Sequence, residues 1–374
     1  MNRPRAKIEK DELGDVRRIV VKVGSAVIAG KGRLRPKILA ALAHDLMEVR
    51  RAGHEVILVV SGAVAAGYRR LGMHSLPTAV VERQSAASVG QHRLMATFSD
   101  LFEKHRVPVA QLLMSAEDIE NRRRFLSARH TLQMLLSRGV IPVINENDAL
   151  SDNEAKVGDN DHLAAMVTSV VSADLMILLT TVRGVYHDGN GPVIPRVEVG
   201  SSLEQHIHST LSDSGIGGMA AKVSAARLVS HWAVPTIIAD GTESGTLQRI
   251  LSGEPVGTLF LPRKQKLTAR KRWIAVRAKS RGVIHVDNGA RNAILNKGAS
   301  LLPSGIVDVD GRFSIGSRVD LRDETESIFA VGLVSYASED IQRLRGRRVS
   351  EIEDVLGYVY MSEMIHRDDL VILD

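Results

Sequence analysis

The 374-residue sequence contains no cysteine. Disulfides, thiolate nucleophiles and cysteine-held zinc are therefore excluded. Aromatic residues make up 3% of the chain, with two Trp, five Tyr and six Phe, which leaves little material for base-stacking platforms of the kind RNA readers use. No run approaches the ~20 consecutive apolar residues that span a bilayer. Residues 1–18 mix Arg and Lys with Glu and Asp and hold no apolar core segment. Neither a secretory signal nor a transit peptide is expected there, and the expected location is cytoplasmic. The thirteen histidines include no H-E-x-x-H or comparable ligand spacing. His206 and His208 alternate as a strand pair would and read as surface histidines, so no resident metal site is expected and any metal should arrive with a nucleotide.

What the chain does have is 44% apolar residues, ample for a buried core. Ile19–Val23, Glu55–Val60, Val107–Leu113, Val140–Ile144, Leu175–Leu179 and Pro235–Ala239 are short apolar runs that read as buried strands. Pro36–Arg51 has helical spacing (Ile38, Leu39, Leu42, Leu46, Val49) and stops at Gly53; Phe125–Arg138 and His162–Ser172 are further helical stretches. This alternation predicts an α/β domain with a mainly parallel sheet covered on both faces. Near Pro262 the character changes. Nine basic residues and no acidic one lie between Arg263 and Arg281 in a chain whose net charge is only +6. Short strands with frequent turn signals follow, and helical periodicity is confined to Ala290–Lys297 and Glu339–Arg345. The expected organisation is a charged tail at 1–18, an α/β domain at 19–262, a basic linker at 263–277 and a small β-rich domain at 278–374.

In open parallel sheets ligands bind outside the carboxyl ends of the strands, and four such places are unusual. In Val20-Val21-Lys22-Val23-Gly24-Ser25 a lysine interrupts an apolar strand. It reads either as a phosphate-binding ammonium emerging at a polar site or as an edge-strand lysine reaching water. Val59-Val60-Ser61-Gly62-Ala63 places small residues at a strand-to-helix junction, a natural anion site, although Ser there is also an ordinary helix cap. From Asn145-Glu146-Asn147-Asp148 through Lys156-Val157-Gly158-Asp159-Asn160-Asp161, six carboxylates and four asparagines fall within 17 residues. Such groups suit an amino-acid headgroup carrying ammonium and carboxylate together, with Asp148 on the ammonium and Asp161 orienting a lysine. Gly215-Ile216-Gly217-Gly218-Met219-Ala220-Ala221-Lys222 formally fits a dinucleotide fingerprint but follows no strand, and it is not a Walker A loop. It reads as a glycine loop delivering Lys222 at a helix start.

Two lysines, two glycine loops and an acid–amide loop stand without an activated nucleophile. A carboxylate substrate explains the absence, because a group with pKa near ~4.3 is already ionised at neutral pH and needs no general base. The protein then has only to align the reactants and neutralise charge on a transferring phosphoryl group.

These blocks, in this order from Ile19 to about Pro262, resemble the amino-acid kinase family, and within it the branch that phosphorylates glutamate. The Ile144-Asn145-Glu146-Asn147-Asp148 and Lys156–Asp161 blocks carry most of the likeness. The resemblance implies a three-layer αβα sandwich and ATP-dependent phosphorylation of the γ-carboxylate of L-glutamate to γ-glutamyl phosphate, the first step of proline biosynthesis, with ATP and Mg²⁺. It implies phosphate contacts by Lys22 and Lys222, with Asp161 organising both lysines, and glutamate binding by Ser61, Asp148 and Asn160. Nucleotide contacts are implied at Thr180, Thr181, Ile216, Gly217, Gly218, Met219, Ala220 and Ala221. The chain departs from the family at Thr181, where aspartate is common, and at Ile216, where threonine is common. A homo-oligomer, proline as feedback ligand and hand-over to glutamate-5-semialdehyde dehydrogenase are further implications.

Residues from about Ala278 to Met361, with Gly298–Ile306 as the best block, resemble a PUA domain. PUA domains elsewhere bind RNA, which supplies a rival reading: an RNA-binding protein with the α/β domain as scaffold or sensor. A third keeps the kinase and changes the acceptor to another small carboxylate.

Overall fold

The computed structural model describes residues 13, 15–30, 32–150, 160–187, 191–201, 218–263, 274 and 280–373. The chain divides into two compact units, Met1–Lys266 and Leu267–Asp374. Most of the basic run lies outside the described residues.

The larger unit is built on one eight-stranded sheet. Its strands in chain order are β1 (Arg18–Val23), β2 (Glu55–Val60), β3 (Val109–Met114), β4 (Ile141–Glu146), β5 (Leu175–Thr180), β6 (Arg196–Val197), β7 (Thr236–Asp240) and β8 (Thr258–Phe260). In space they run β3-β4-β2-β1-β5-β7-β8-β6. From β3 to β7 every pairing is parallel, while β8 runs antiparallel to β7. Strand β1 is thus central, hydrogen-bonded to β2 on one side and to β5 on the other.

Side chains alternate across a strand, and the two faces of the sheet are buried in different company. Ile19, Val21 and Val23 share one core with Val56, Leu58, Val60, Ile177 and Leu179. Helices α1 (Pro36–Arg51), α3 (Val80–Glu103) and α7 (Thr246–Leu251) supply Leu39, Leu46, Leu94, Phe98, Leu247 and Ile250 to it. Val20, Ile57, Val59, Ile144, Met176 and Leu178 are buried on the opposite face. There the cover is α4 (Arg122–Ser137), α5 (Asn160–Val171) and α6 (Met219–Ser230), with α5 packed on β1 and on both its helical neighbours. Eleven of the twelve residues of α5 are buried, His162 being the exception, which is why its sequence reads apolar nearly all round rather than on one stripe. Helices over both faces of the sheet make the three-layer αβα sandwich. The expected helix at Pro36–Arg51 is observed with those bounds.

The short helix α2 (Ala63–Gly67) crosses α3 at backbone contact. A Cβ on Gly67 would lie 1.9 Å from the Ala86 carbonyl oxygen, and one on Gly90 would lie 1.8 Å from that of Ala63. Only glycine at both positions permits this crossing. It locks α3 beside the turn that follows β2.

The smaller unit holds a five-stranded sheet of β9 (Val283–Val286), β10 (Ile306–Asp310), β11 (Arg318–Arg322), β12 (Ile328–Leu333) and β13 (Leu370–Ile372), ordered β10-β9-β11-β12-β13. It is antiparallel except for β9 with β11. Its core gathers Ile284, Leu321, Phe329, Ile341 and Met364 around Tyr336. The Tyr336 hydroxyl accepts from the backbone N–H of Tyr360 and Met361 and donates to the Met361 carbonyl.

Candidate active site

The site residues collect at the carboxyl ends of the central strands. Past β1, Gly24 N–H donates to the Leu179 carbonyl at 3.1 Å, and Ser61 N–H donates to the Val23 carbonyl at 3.2 Å. The two small-residue turns therefore lie side by side at one rim. Gly62 has φ +101°, a left-handed conformation that favours glycine, and it turns the chain sharply from β2 into α2. Ser61 is half-buried at this turn.

Lys22 is not at an edge. It sits opposite Val59 and Leu178 in the middle of the sheet, so the reading of an edge-strand lysine reaching water is overturned. Its side chain lies on the α5 face and is buried. A buried ammonium needs a partner, and the first turn of α5 supplies it. Lys22 Nζ meets Asp161 Oδ1 at 2.5 Å, and Lys222 Nζ meets Oδ2 of the same carboxylate at 3.1 Å. Lys222 is buried in the first turn of α6, the end of a helix where a cation is disfavoured by the dipole; Asp161 offsets that cost. Asp161 itself lies in the first turn of a helix, where the dipole favours a carboxylate. Burial pushes its pKa up, but Lys22 and Lys222 outweigh burial and hold the carboxyl below the usual range. The result is a buried group of two cations and one anion, with a net positive charge.

The acid–amide segment begins where β4 ends. Asn147 N–H donates to the Met114 carbonyl and Leu150 N–H to the Asn147 carbonyl, which fixes the turn containing Asp148. Asp148 is buried, and burial pushes its pKa up to about 6 although Arg83 of α3 acts in the opposite direction. Asn160 is buried at the start of α5, immediately before Asp161. Asn145 is buried as well. Its Nδ2 donates to Gln91 Oε1 at 2.8 Å, and its Oδ1 accepts from the Glu146 N–H at 2.9 Å.

Thr180 closes β5 half-buried, its carbonyl accepting from Gly241 N–H at 2.8 Å, and Thr181 is exposed just beyond it. Gly218 caps α6, and Met219, Ala220 and Ala221 occupy its first turn with Lys222. Ile216, Gly217 and Lys156–Asp159 lie outside the described residues. The structure thus joins Lys22, Asp161 and Lys222 directly. It sets Ser61 beside the β1 turn and places Asp148 and Asn160 in buried positions on either side of residues 151–159. Arg83 and Gln91 were not among the expected residues. The signal for Gln91 was a polar residue on the buried face of α3, in line with Ala87, Leu94 and Phe98.

Among the described residues no group of three His, Asp or Glu side chains is placed to hold a metal, and no helix is long and apolar enough to cross a membrane.

Comparison with known proteins identifies the family. The amino acid kinase family matches residues 17–240, more than half the chain, and the PUA domain matches residues 282–356. The chain is 45% identical to the glutamate 5-kinase of Syntrophotalea carbinolica over 372 residues, covering 98% of this chain and 100% of that protein. It is 44% identical to that of Citrifermentans bemidjiense (98% and 100%) and 42% identical to that of Methylococcus capsulatus (97% and 99%). Among solved structures, a Giardia carbamate kinase superposes with a TM-score of 0.50 at 15% identity, over 67% of this chain and 100% of that one; this is a likeness of fold. The chain belongs to the amino acid kinase family, in its glutamate 5-kinase branch, and carries a PUA domain.

Proposed function

We propose that the protein transfers the γ-phosphoryl group of ATP to the γ-carboxylate of L-glutamate, giving γ-glutamyl phosphate and committing glutamate to proline formation. The observation that carries the reading is the single buried carboxylate of Asp161 bridging Lys22 and Lys222 at the rim of the central strands. Full-length relatives bearing the name glutamate 5-kinase support the choice of substrate.

The attacking carboxylate is ionised at neutral pH and needs no base. The chemistry therefore rests on approach and charge. Two negatively charged reactants must be brought together, and the net positive Lys22–Asp161–Lys222 group offsets their repulsion and the charge spread over the phosphoryl oxygens in transfer. Asp161 keeps both ammonium groups at fixed positions, so little reorganisation is needed as charge shifts. Ser61, Asp148 and Asn160 take the amino-acid end. Thr180, Thr181 and residues 216–221 take the nucleotide. Mg²⁺, carried in with the nucleotide, would supply further charge neutralisation.

The same reading places the protein in the cytoplasm as a homo-oligomer, with proline as feedback ligand and glutamate-5-semialdehyde dehydrogenase as recipient of the labile acyl phosphate; these rest on the family alone. ATP turnover with a panel of small carboxylates, with the acyl phosphate trapped by hydroxylamine, tests the assignment. Glutamate- and Mg²⁺-dependent hydroxamate is expected. A clear preference for aspartate, N-acetylglutamate or carbamate would overturn the substrate and keep the phosphoryl transfer.

A further inference from the structure

Buried polar groups in folded proteins are almost always hydrogen-bonded. Gln91 Nε2, Asp148 Oδ1 and Asn160 Oδ1 have no hydrogen-bond partner among the described residues, although their residues are only 9%, 8% and 3% exposed. One is a donor and two are acceptors. An amino-acid headgroup presents the complement: a carboxylate that accepts and an ammonium that donates.

The orientation of the Gln91 amide is set by the backbone. Glu146 N–H donates to Asn145 Oδ1, which turns Asn145 Nδ2 toward Gln91. Gln91 must answer with Oε1, and its Nε2 is left with two hydrogens to donate. Helix α3 cannot slide to relieve this, because Gly90, the preceding residue, touches the Ala63 backbone. The two faces of the sheet then divide the substrate. Asn145 alternates with Ile141 and Val143, which belong to the core on the α1 and α3 face, whereas Lys22 lies on the α5 face. A substrate lying across the rim with its γ-carboxylate toward the lysines carries its headgroup toward Gln91 and Asp148.

We infer that Gln91 is a specificity-determining residue whose Nε2 donates to the α-carboxylate of the amino-acid substrate, and that Asn145 is the positioning residue that aims it. The inference rests on the glutamate reading above. A neutral donor suits the site, because the headgroup is itself zwitterionic and Arg83 already acts on Asp148, so the charges sum to zero without a further cation.

The test compares L-glutamate with its α-amide, isoglutamine, which keeps the γ-carboxylate and loses only the α-charge. Gln91→Glu preserves Oε1 for Asn145 and replaces the donor by an acceptor; Gln91→Met removes both. For either variant the KM for glutamate should rise about 10–100-fold, the scale of a lost hydrogen bond to a charged group, with the KM for ATP within about twofold. The preference for glutamate over isoglutamine should collapse in both. An unchanged KM for glutamate, an equal loss for both substrates, or unfolding of both variants would overturn the assignment and make the amide structural. Failure of the unmodified protein to phosphorylate glutamate would be a different result, removing the reading on which the inference stands and the inference with it.

Discussion

Replacing Asp148 by asparagine should make the ligand-free protein more stable and the enzyme worse. Burial raises the Asp148 carboxyl from 3.8 to about 6 against the opposing influence of Arg83. Its pKa is higher folded than unfolded, so the folded state binds more protons between those two values. The associated stability is fully present below about pH 4 and is lost as pH rises through about 6. At about 1.4 kcal/mol per pH unit, the ionised carboxylate costs the folded protein about 3 kcal/mol at pH 8. D148N removes the ionisation, and the influence of Arg83 is already contained in the value of about 6, so a net gain of about 3 kcal/mol is expected at pH 8, roughly 9 °C in the melting of the larger unit. The gain should shrink toward zero near pH 4. Saturating glutamate should reverse the ranking, since about 1,000-fold excess over Kd contributes about 4.1 kcal/mol to the wild type and little to a variant that no longer pairs the ammonium. Thermal melts of both proteins at pH 4, 6 and 8, with and without glutamate, decide it. A variant that melts at or below the wild type at pH 8, or by a margin independent of pH, would refute the reasoning.

By the same titration, kcat/KM for glutamate should fall as pH drops through about 6 while the KM for ATP holds, a profile that D148N should lose. Lys22→Ala and Lys222→Ala should lower kcat by about 10²–10³-fold in steady-state assays; a change confined to the KM for glutamate would reassign both lysines to substrate binding. Gly90→Ala places a methyl 1.8 Å from the Ala63 carbonyl oxygen and should destabilise the larger unit by at least about 1–3 kcal/mol in urea unfolding; wild-type stability would mean the α2–α3 crossing is loose. A protein ending near Arg263 should retain glutamate-dependent turnover, because every proposed site residue precedes it; loss of activity in a folded, correctly assembled truncation would place part of the site in the smaller unit.

Much of this protein is legible in its sequence because local patterns carry it. Apolar runs with β-branched residues mark β1, β2, β4 and β5 to within two residues at either end. The 3.6-residue spacing and the stop at Gly53 mark α1. The crowding of amide and carboxylate groups after Ile144 marks a candidate ligand segment in the sequence alone, because such groups are costly next to a core unless something uses them. What the sequence leaves open is set by partners far away along the chain. Whether Lys22 reaches water or a carboxylate depends on β1 being central, and that depends on parallel pairing with strands that begin at Glu55 and Leu175. Gln91 in isolation is one polar residue on an amphipathic helix. It becomes a poised donor only because two glycines let α3 touch α2 and because Asn145, 54 residues on, fixes which end of its amide is free. Propensity and periodicity act over a few residues, so they determine which elements form; which buried charges meet and which donors stay unpaired is decided when the elements pack, because only then does losing water oblige each polar group to find its partner.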